Sequence, residues 1–267
     1  MYDVWLYGTI FCGFYDVIIT TYHRIVMFEN IYNKSKLCVF LLMMLAVLTL
    51  SGCNKSGDVP VQMRQAGDKA VHVRIEVADY GGMEFVLLKD APDEIVKDFT
   101  ERAKSGFYVG KPVYMVIKDF CIMAGEQAAE SVAAAQPRTD DGGKGGDFYP
   151  FYGALCITDV SDNVSAEHFT VIGADKGFLS ELEELLAYKK VTLAEYFDTA
   201  YGVKLDEETL ELFKEYGGAP WLNGHCRVFG QMTEGFEVLD AISGVPVSDD
   251  AQFRPETDIV IDKVLVY

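Results

Sequence analysis

The chain has 267 residues, of which 41 are acidic and 23 are basic, so its formal net charge at pH 7 is −18. A surface of that charge repels phosphate backbones, which argues against a nucleic-acid partner. Half of the residues are hydrophobic and 24% are charged, a composition that excludes collagen-like and disordered chains and provides enough apolar mass for a core.

The N-terminal part contains an apolar run typical of export signals. Residues Leu37–Leu50 are uncharged and mostly apolar, Lys34 and Lys36 precede them, and small residues follow at once. A membrane-spanning helix needs about 20 apolar residues, so this shorter run predicts a cleaved signal peptide. Leu50-Ser51-Gly52-Cys53 resembles the bacterial lipobox, in which the cysteine carries diacylglycerol. An ordinary secretory signal or a single anchor helix is the alternative.

This interpretation divides the chain into three parts. Residues 1–52 form the signal peptide, and Met27 is a candidate for the true start because the residues before it fit no part of a signal. Residues 53–70 contain the lipidated Cys53 and a flexible tether. Residues 71–267 form one domain. We therefore expect a protein of the bacterial cell envelope, anchored to a membrane by its lipid and facing outside the cytoplasm.

Cysteines do not organise the domain. After Cys53 the chain contains only Cys121, Cys156 and Cys226. An odd and sparse set of this kind excludes a disulfide framework for the exported part.

The domain opens with a predicted hairpin followed by a helix. Residues Val71–Val77 alternate apolar and polar side chains, and Met83–Leu88 follow them across the turn Tyr80–Gly82. The next segment begins at Ala91-Pro92, has apolar residues at helical spacing and ends before Gly106. This pattern predicts an amphipathic helix that packs on a sheet.

Short strands and a helical block make up the rest. The sequence predicts a helix with Phe178, Leu179, Leu182, Leu185 and Leu186 on one face, and another with Leu210 and Phe213 on one face and Asp206 as its cap. A last helix covers residues 234–242. The predicted strands cover residues 113–117, 120–123, 153–157, 168–172, 227–230 and 258–267. Together these elements favour an antiparallel barrel closed by helices.

Two segments of this domain resemble one known family. Ser105–Glu126 is similar to the motif GFYDG…FHRVI..F.IQGGD, and Gly217–Gly230 is similar to GG.P.LDG..TVFG. Through these motifs the chain resembles the cyclophilins, which are peptidyl-prolyl cis-trans isomerases. The resemblance spans nearly all of residues 71–267. It implies a mainly β fold, an eight-stranded antiparallel barrel capped by two helices, with an extra helical insertion at about 175–216.

The resemblance also implies that the catalytic residues are replaced. An X-Pro bond isomerises over a barrier of about 18–20 kcal/mol. In the family an arginine lowers this barrier by donating hydrogen bonds to the prolyl peptide, above an apolar pocket for the proline ring. The arginine position is Met115 here, which has no donor. The neighbouring histidine position is Tyr114, and the following glutamine position is Met123.

The other groove positions are partly kept. His168 replaces a glutamine, Thr170 replaces the pocket phenylalanine, and Cys226 replaces the histidine at the pocket rim. Cys121 also falls on a position that faces the pocket in the family. The residues that keep the family's identity are Phe120, Trp221 and Leu222.

Several of these residues have a second interpretation. Phe120 and Leu222 line a proline pocket, or they are core residues of a closed groove. Trp221 lies at a groove edge, or it is a packed loop aromatic. Met115 and Met123 lie side by side as an adaptable binding surface, or they fill the core.

The cysteines and histidines of the groove lead to two further expectations. Cys121 and Cys226 should be near neighbours, either bonded as a disulfide or, as we favour, present as two buried thiols. His168 and His225 have no partners at metal-ligand spacing, so we expect no metal site and no cofactor.

The sequence therefore predicts an exported, lipid-anchored protein of cyclophilin type that binds proline-containing or extended segments of envelope proteins. Its isomerase activity should be weak or lost. One alternative is an active isomerase that uses Tyr114, His168 or backbone donors. The other is a non-catalytic assembly component that binds a partner through the insertion at about 175–216.

Overall fold

The computed structural model describes residues 59–64, 70–126, 148–158, 165–249 and 252–267. The chain divides into two units, Met1–Val59 and Pro60–Tyr267. The predicted signal peptide, Cys53 and most of the predicted tether lie outside the described residues. Within the described ranges, no helix is long and apolar enough to cross a membrane.

Eight antiparallel strands form one sheet, in the order β3-β4-β6-β5-β7-β2-β1-β8. The two edge strands approach each other where they begin, because the Val113 N–H donates to the Ile259 carbonyl and the Ile261 N–H donates to the Lys111 carbonyl, each at 2.8 Å. The sheet therefore curls towards a barrel, as predicted. The strands are β1 Val71–Val77, β2 Gly81–Leu87, β3 Val113–Ile117, β4 Cys121–Gly125, β5 Ala154–Ile157, β6 His168–Ile172, β7 Arg227–Glu234 and β8 Ile261–Val266.

Six helices are present among the described residues. Two of them pack on the sheet: the second buries Ile95 and Phe99, and the sixth buries Leu239 and Ile242. These two confirm the predicted pair of capping helices. A short 3-10 helix covers Pro220–Leu222. The helices are α1 Val61–Arg64, α2 Asp93–Lys104, α3 Lys176–Tyr188, α4 Leu193–Tyr201, α5 Glu207–Tyr216 and α6 Phe236–Ser243.

The insertion contains three helices rather than the two that the sequence predicted. The helix that was missed, α4, is short and buries only Leu193 and Phe197, so its apolar periodicity is weak. Its ends are nevertheless well defined, because Thr192 and Glu195 form a capping box and Gly202 ends the helix with left-handed backbone dihedrals.

The other two insertion helices, α3 and α5, agree with the prediction at the cap of α5 and differ from it on one face of α3. Asp206 caps α5 as predicted, because its side chain accepts a hydrogen bond from the Thr209 N–H at 2.8 Å. The prediction was wrong for Leu185, which is 42% exposed, whereas Leu179 and Leu186 on the same helix are buried. A helical face includes residues spaced by three or four, and Leu185 lies at the edge of the face that Leu179 and Leu186 define.

The insertion has a hydrophobic core of its own. The side chains of α3, α4 and α5 pack around Phe151, which comes from the segment before β5, and around Phe213. This cluster is distinct from the barrel core, which is built from both faces of the sheet and from α2 and α6. Gly218 connects the two regions: its N–H donates to the Ala174 carbonyl at 2.8 Å, and a Cβ at this position would overlap the Pro150 carbonyl. Only glycine fits there.

Part of the predicted tether is folded. Val61–Arg64 form helix α1, and Gln62 is 1% exposed. The Gln62 Nε2 donates to the Tyr149 carbonyl at 3.0 Å and to the Gln231 Oε1 at 2.8 Å, and its Oε1 accepts from the Tyr149 N–H at 2.8 Å. Helix α1 therefore belongs to the compact unit Pro60–Tyr267, because Gln62 satisfies buried polar groups of Tyr149 and Gln231.

Candidate functional site

One row of side chains crosses four neighbouring strands at the predicted site. Met115 in β3 is the Cα partner of Met123 in β4, Met123 is the partner of Thr170 in β6, and Thr170 is the partner of Cys156 in β5. Directly opposed residues in antiparallel strands point to the same face. The structure therefore brings together three of the positions that the resemblance singled out and adds Cys156, which the sequence analysis did not assign to the site.

This row, which we call the Met115 row, is buried and has almost no hydrogen-bond donors. Met115 is 3% exposed, and the other three side chains are also buried. Thioethers donate nothing. The Thr170 hydroxyl is the only oxygen in the row, and it lies 3.3 Å from the Thr158 hydroxyl. At the positions where the resemblance places the family's arginine and glutamine, this row therefore has the apolar side chains of Met115 and Met123, which pack but do not donate.

A bulge in β3 brings the Tyr114 side chain into the same cluster as that of Met115. The register of β3 and β4 shifts between Val113 and Met115, so Tyr114 has no direct partner in β4. Tyr114 and Met115 then share one cluster with Cys121 and Met123. Burial, together with the nearby Cys121, raises the pKa of the Tyr114 phenol, so the hydroxyl keeps its proton and remains able to donate.

Phe253 covers the same cluster from the loop that precedes β8. Its side chain packs against the cluster, and its carbonyl accepts a hydrogen bond from the Val116 N–H at 2.9 Å. Phe253 has a φ of 46°, an uncommon backbone conformation for a phenylalanine. No sequence pattern indicates this contact, because a loop residue far along the chain has no periodicity that would place it.

The two candidate histidines, His168 and His225, are not members of the Met115 row. His168 is the Cα partner of Gly125 at the start of β6, two residues from Thr170, and it is buried. His225 is half-buried, and this burial lowers the pKa of its imidazole. An uncharged imidazole at neutral pH is therefore expected for His225. No group of three or more metal-ligating side chains suited to an ion occurs among the residues that the structure describes.

Phe120, Trp221 and Leu222 provide half-buried apolar surface near the row. The rings of Phe120 and Trp221 are 5.1 Å apart between centroids. Both rings and Leu222 pack against the barrel core without being fully enclosed. Each of these side chains therefore packs on the core and still presents part of its surface to solvent.

Trp221 also contacts the insertion, which the sequence analysis did not foresee. Its ring lies 5.4 Å from Phe178 in α3, 6.3 Å from Phe197 in α4 and 6.1 Å from Tyr201 at the end of α4. Trp221 is therefore a packed aromatic residue whose ring is still partly exposed. It joins the aromatic cluster of the insertion to Phe120.

The three described thiols are free and lie near one another. Cys121 and Cys156 are buried, whereas Cys226 is only half-buried. The expectation of two buried thiols was right for Cys121 and wrong for Cys226, because Cys226 lies just before β7, at the barrel surface. The thiol that interacts with Cys226 is Cys156, and Cys156 also interacts electrostatically with Cys121. Cys156 lies in neither family motif, so the motifs do not assign it to the site.

An eight-stranded antiparallel sheet that curls towards a barrel, with two helices packed on it, is the cyclophilin class of fold. The chain belongs to that family: the model described as "Cyclophilin type peptidyl-prolyl cis-trans isomerase/CLD" matches residues 72–266. The match confirms the resemblance inferred from the two motifs.

Curated relatives cover most of the same region. A Staphylococcus haemolyticus protein described as a "Putative peptidyl-prolyl cis-trans isomerase" is 29% identical over 218 residues, which are 78% of this chain and 96% of the relative. A Staphylococcus saprophyticus protein with the same description is 28% identical over 188 residues, covering 69% and 86%.

Solved structures of one cyclophilin also match. The crystal structure of a Cryptosporidium parvum cyclophilin type peptidyl-prolyl cis-trans isomerase has 21% sequence identity and a TM-score of 0.46, and the match covers 74% of this chain and 98% of that one. A second structure of that protein, in the presence of the dipeptide Ala-Pro, has 20% identity and a TM-score of 0.45, with 73% and 98% covered.

Proposed function

We propose that this chain is an exported, lipid-anchored cyclophilin-type protein that binds proline-containing or extended segments of envelope proteins, and that its isomerase activity is weak or lost. The observation that carries the catalytic part is the burial of Met115 among Tyr114, Cys121 and Met123. The motif resemblance assigns the family's arginine position to Met115, and this apolar side chain is 3% exposed.

The loss of donors accounts for weak catalysis. Rotation about the prolyl amide bond needs a group that weakens amide resonance in the transition state, and a preorganised donor does this well because it requires no reorganisation. Removal of one such donor typically costs about 2.7–4 kcal/mol of transition-state stabilisation. Met115 and Met123 are adjacent across β3 and β4, so two donor positions are lost from one continuous surface.

The apolar residues support binding. Phe120, Trp221 and Leu222 keep the family's identity and remain half-buried. A proline ring is apolar and compact, so it gains free energy from contact with such surface even where no donor acts on its peptide bond. Binding and catalysis are separable here, because different residues support each of them.

A proline-peptide exchange experiment tests both parts. We expect peptide resonances to shift or broaden when the protein is added, while the exchange between cis and trans peaks stays far slower than with an arginine-containing cyclophilin at the same concentration. Catalysis comparable to that control would contradict the proposal. It would favour the alternative that the relatives' description supports, an active isomerase, and Tyr114→Phe should then remove the activity if the Tyr114 phenol is the donor.

The same experiment addresses the assembly role. Without any binding or catalysis, the groove would be vestigial, and a partner would have to bind elsewhere on the domain, with the insertion as the first candidate. The half-buried Phe120 and Leu222 favour a groove that still binds.

Anchoring has a separate test at Cys53. Cys53→Ser should release the protein from the membrane fraction or leave the precursor uncleaved, because serine cannot form the thioether to the lipid. Labelling with a fatty-acid probe, with the wild-type chain as the reference, measures it directly. An unlabelled wild type and a serine variant that stays in the membrane would instead indicate that Leu37–Leu50 is an anchor helix.

A further inference from the structure

Cys156 and Cys226 form a thiol pair beside the Met115 row, of which Cys156 is a member. Cys156 lies in β5 opposite Val228 in β7, and the adjacent pair is Ile157 with Arg227. Cys226 directly precedes Arg227, so it lies diagonally across the ladder from Cys156. Both side chains therefore point to the same face of the sheet, and the two thiols interact with each other.

The two thiols differ in environment. Cys156 is fully buried in the barrel core, whereas Cys226 is half-buried and outside the regular strand. The hydrogen bond with Cys226, followed by burial and by the nearby Cys121, raises the pKa of the Cys156 thiol well above its usual value. Because Cys226 is half-buried and Cys156 is fully buried, Cys226 is the thiol that a reagent in solution meets first.

We propose that Cys156 and Cys226 are a redox-active dithiol that a small-molecule disulfide oxidises to a reversible disulfide bond. In the first step the Cys226 thiolate attacks one sulfur of the reagent RSSR, the reagent's S–S bond breaks, and RS⁻ leaves with the electron pair. In the second step Cys156 gives its proton to that RS⁻ and attacks the Cys226 sulfur of the mixed disulfide. A second RS⁻ leaves and takes up the proton released from Cys226. Two cysteine thiols are oxidised and one RSSR is reduced to two RSH.

The geometry determines which part of the chain must move. Diagonal neighbours in a ladder are farther apart than directly opposed residues, about 7–8 Å between Cα atoms, and a disulfide needs a closer approach. Cys156 is held within β5, so the turn that carries Cys226 has to move towards it. That turn also contains Leu222 at its start, because the Leu222 carbonyl accepts a hydrogen bond from the His225 N–H at 2.8 Å. Closing the disulfide should therefore displace Leu222, one of the residues proposed to bind the proline peptide.

The test is oxidation of the full chain with oxidised glutathione, followed by denaturation, alkylation of free thiols and mass mapping of the cysteine peptides. We expect a peptide pair linked through Cys156 and Cys226, with the loss of two hydrogen atoms, and its full reversal by dithiothreitol. Cys156→Ser and Cys226→Ser should each abolish the linked pair. Cys121→Ser is the matched control, because it removes the third thiol of the same region and should leave the linked pair unchanged.

Three results would overturn the inference: a glutathione adduct on Cys226 that persists without closing, a link between Cys121 and Cys226, or no reaction in the folded chain while the denatured chain reacts.

The effect of the disulfide on peptide binding rests on the proposed binding function and is measured separately. Proline-peptide binding should weaken at least several-fold in the oxidised chain and recover on reduction. A linked pair together with no peptide binding in either state would refute the binding proposal and leave the dithiol intact.

Discussion

Trp221→Ala should lower the free energy of unfolding of the domain by about 3 kcal/mol, the low end of the range for an aromatic-to-alanine change in a core. The low end applies because the indole is half-buried. The loss is large because one ring contacts Phe120 on the barrel and Phe178 and Phe197 on the insertion. Urea denaturation followed by circular dichroism measures the change.

Two variants serve as controls for Trp221→Ala. Trp221→Phe keeps an aromatic ring between the two clusters and should cost less than half as much. Tyr188→Ala removes an aromatic side chain that is 92% exposed, so it should stay within about 0.5 kcal/mol of the wild type. Hydrogen exchange in α4 should accelerate in Trp221→Ala and remain unchanged in Tyr188→Ala. Equal stability losses at both positions would mean that Trp221 does not join the two regions.

Elements with strong local signals could be predicted from the sequence. The sequence patterns of Val71–Val77 and His168–Ile172 predict the bounds of β1 and β6 correctly, because a half-buried strand alternates apolar and polar residues and a fully buried strand is a short, mostly apolar run. Helix α4 was missed because only two of its residues are buried, so its stability comes from caps and from packing against Trp221. Tertiary contacts of that kind leave no periodic pattern.

The site was predictable only where motifs aligned it. The family motifs placed Met115, Met123 and Thr170, and the strand register shows that they are adjacent. Cys156 and Phe253 could not be assigned in the same way, because their proximity to the groove depends on strand order and on the course of a loop. The bulge at Tyr114 could not be predicted either, because Val113–Ile117 is apolar throughout and has no alternation that a bulge would interrupt.

Met115→Arg should destabilise the domain by several kcal/mol and restore little isomerase activity. A guanidinium at this position would lie among Tyr114, Cys121 and Met123, none of which carries a negative charge at neutral pH, and a buried charge without a partner is costly. Met115→Leu is the control, because an exchange of similar volume should cost less than about 1.5 kcal/mol. Thermal or urea denaturation separates the two variants.

A second change at Met123 should recover part of that loss. Met115 and Met123 are Cα partners, so the amide oxygen of a glutamine introduced by Met123→Gln can accept a hydrogen bond from the new guanidinium. Hydrogen bonds to charged groups contribute about 1.5–3 kcal/mol, so the Met115→Arg, Met123→Gln pair should be more stable than Met115→Arg alone by an amount in that range. If Met123→Gln worsens the arginine variant, the two side chains do not meet, and the register argument fails.

Adding Thr170→Phe should raise isomerase activity further, at a cost in stability. Thr170 is the Cα partner of Met123, so the three changes rebuild donor, acceptor and apolar wall on adjacent strands, and such neighbours are not additive. Thr170 is also 1% exposed, so the larger ring overpacks the site by about 1–3 kcal/mol. Exchange spectroscopy on a proline peptide gives the turnover, and circular dichroism checks that the variant is folded.

Family-level turnover from Met115→Arg alone would mean that the groove is intact and lacks one residue. A folded triple variant without turnover would mean that packing around Phe253 has reshaped the groove, and the proposed binding of proline peptides would then be abandoned in favour of a partner that binds elsewhere on the domain.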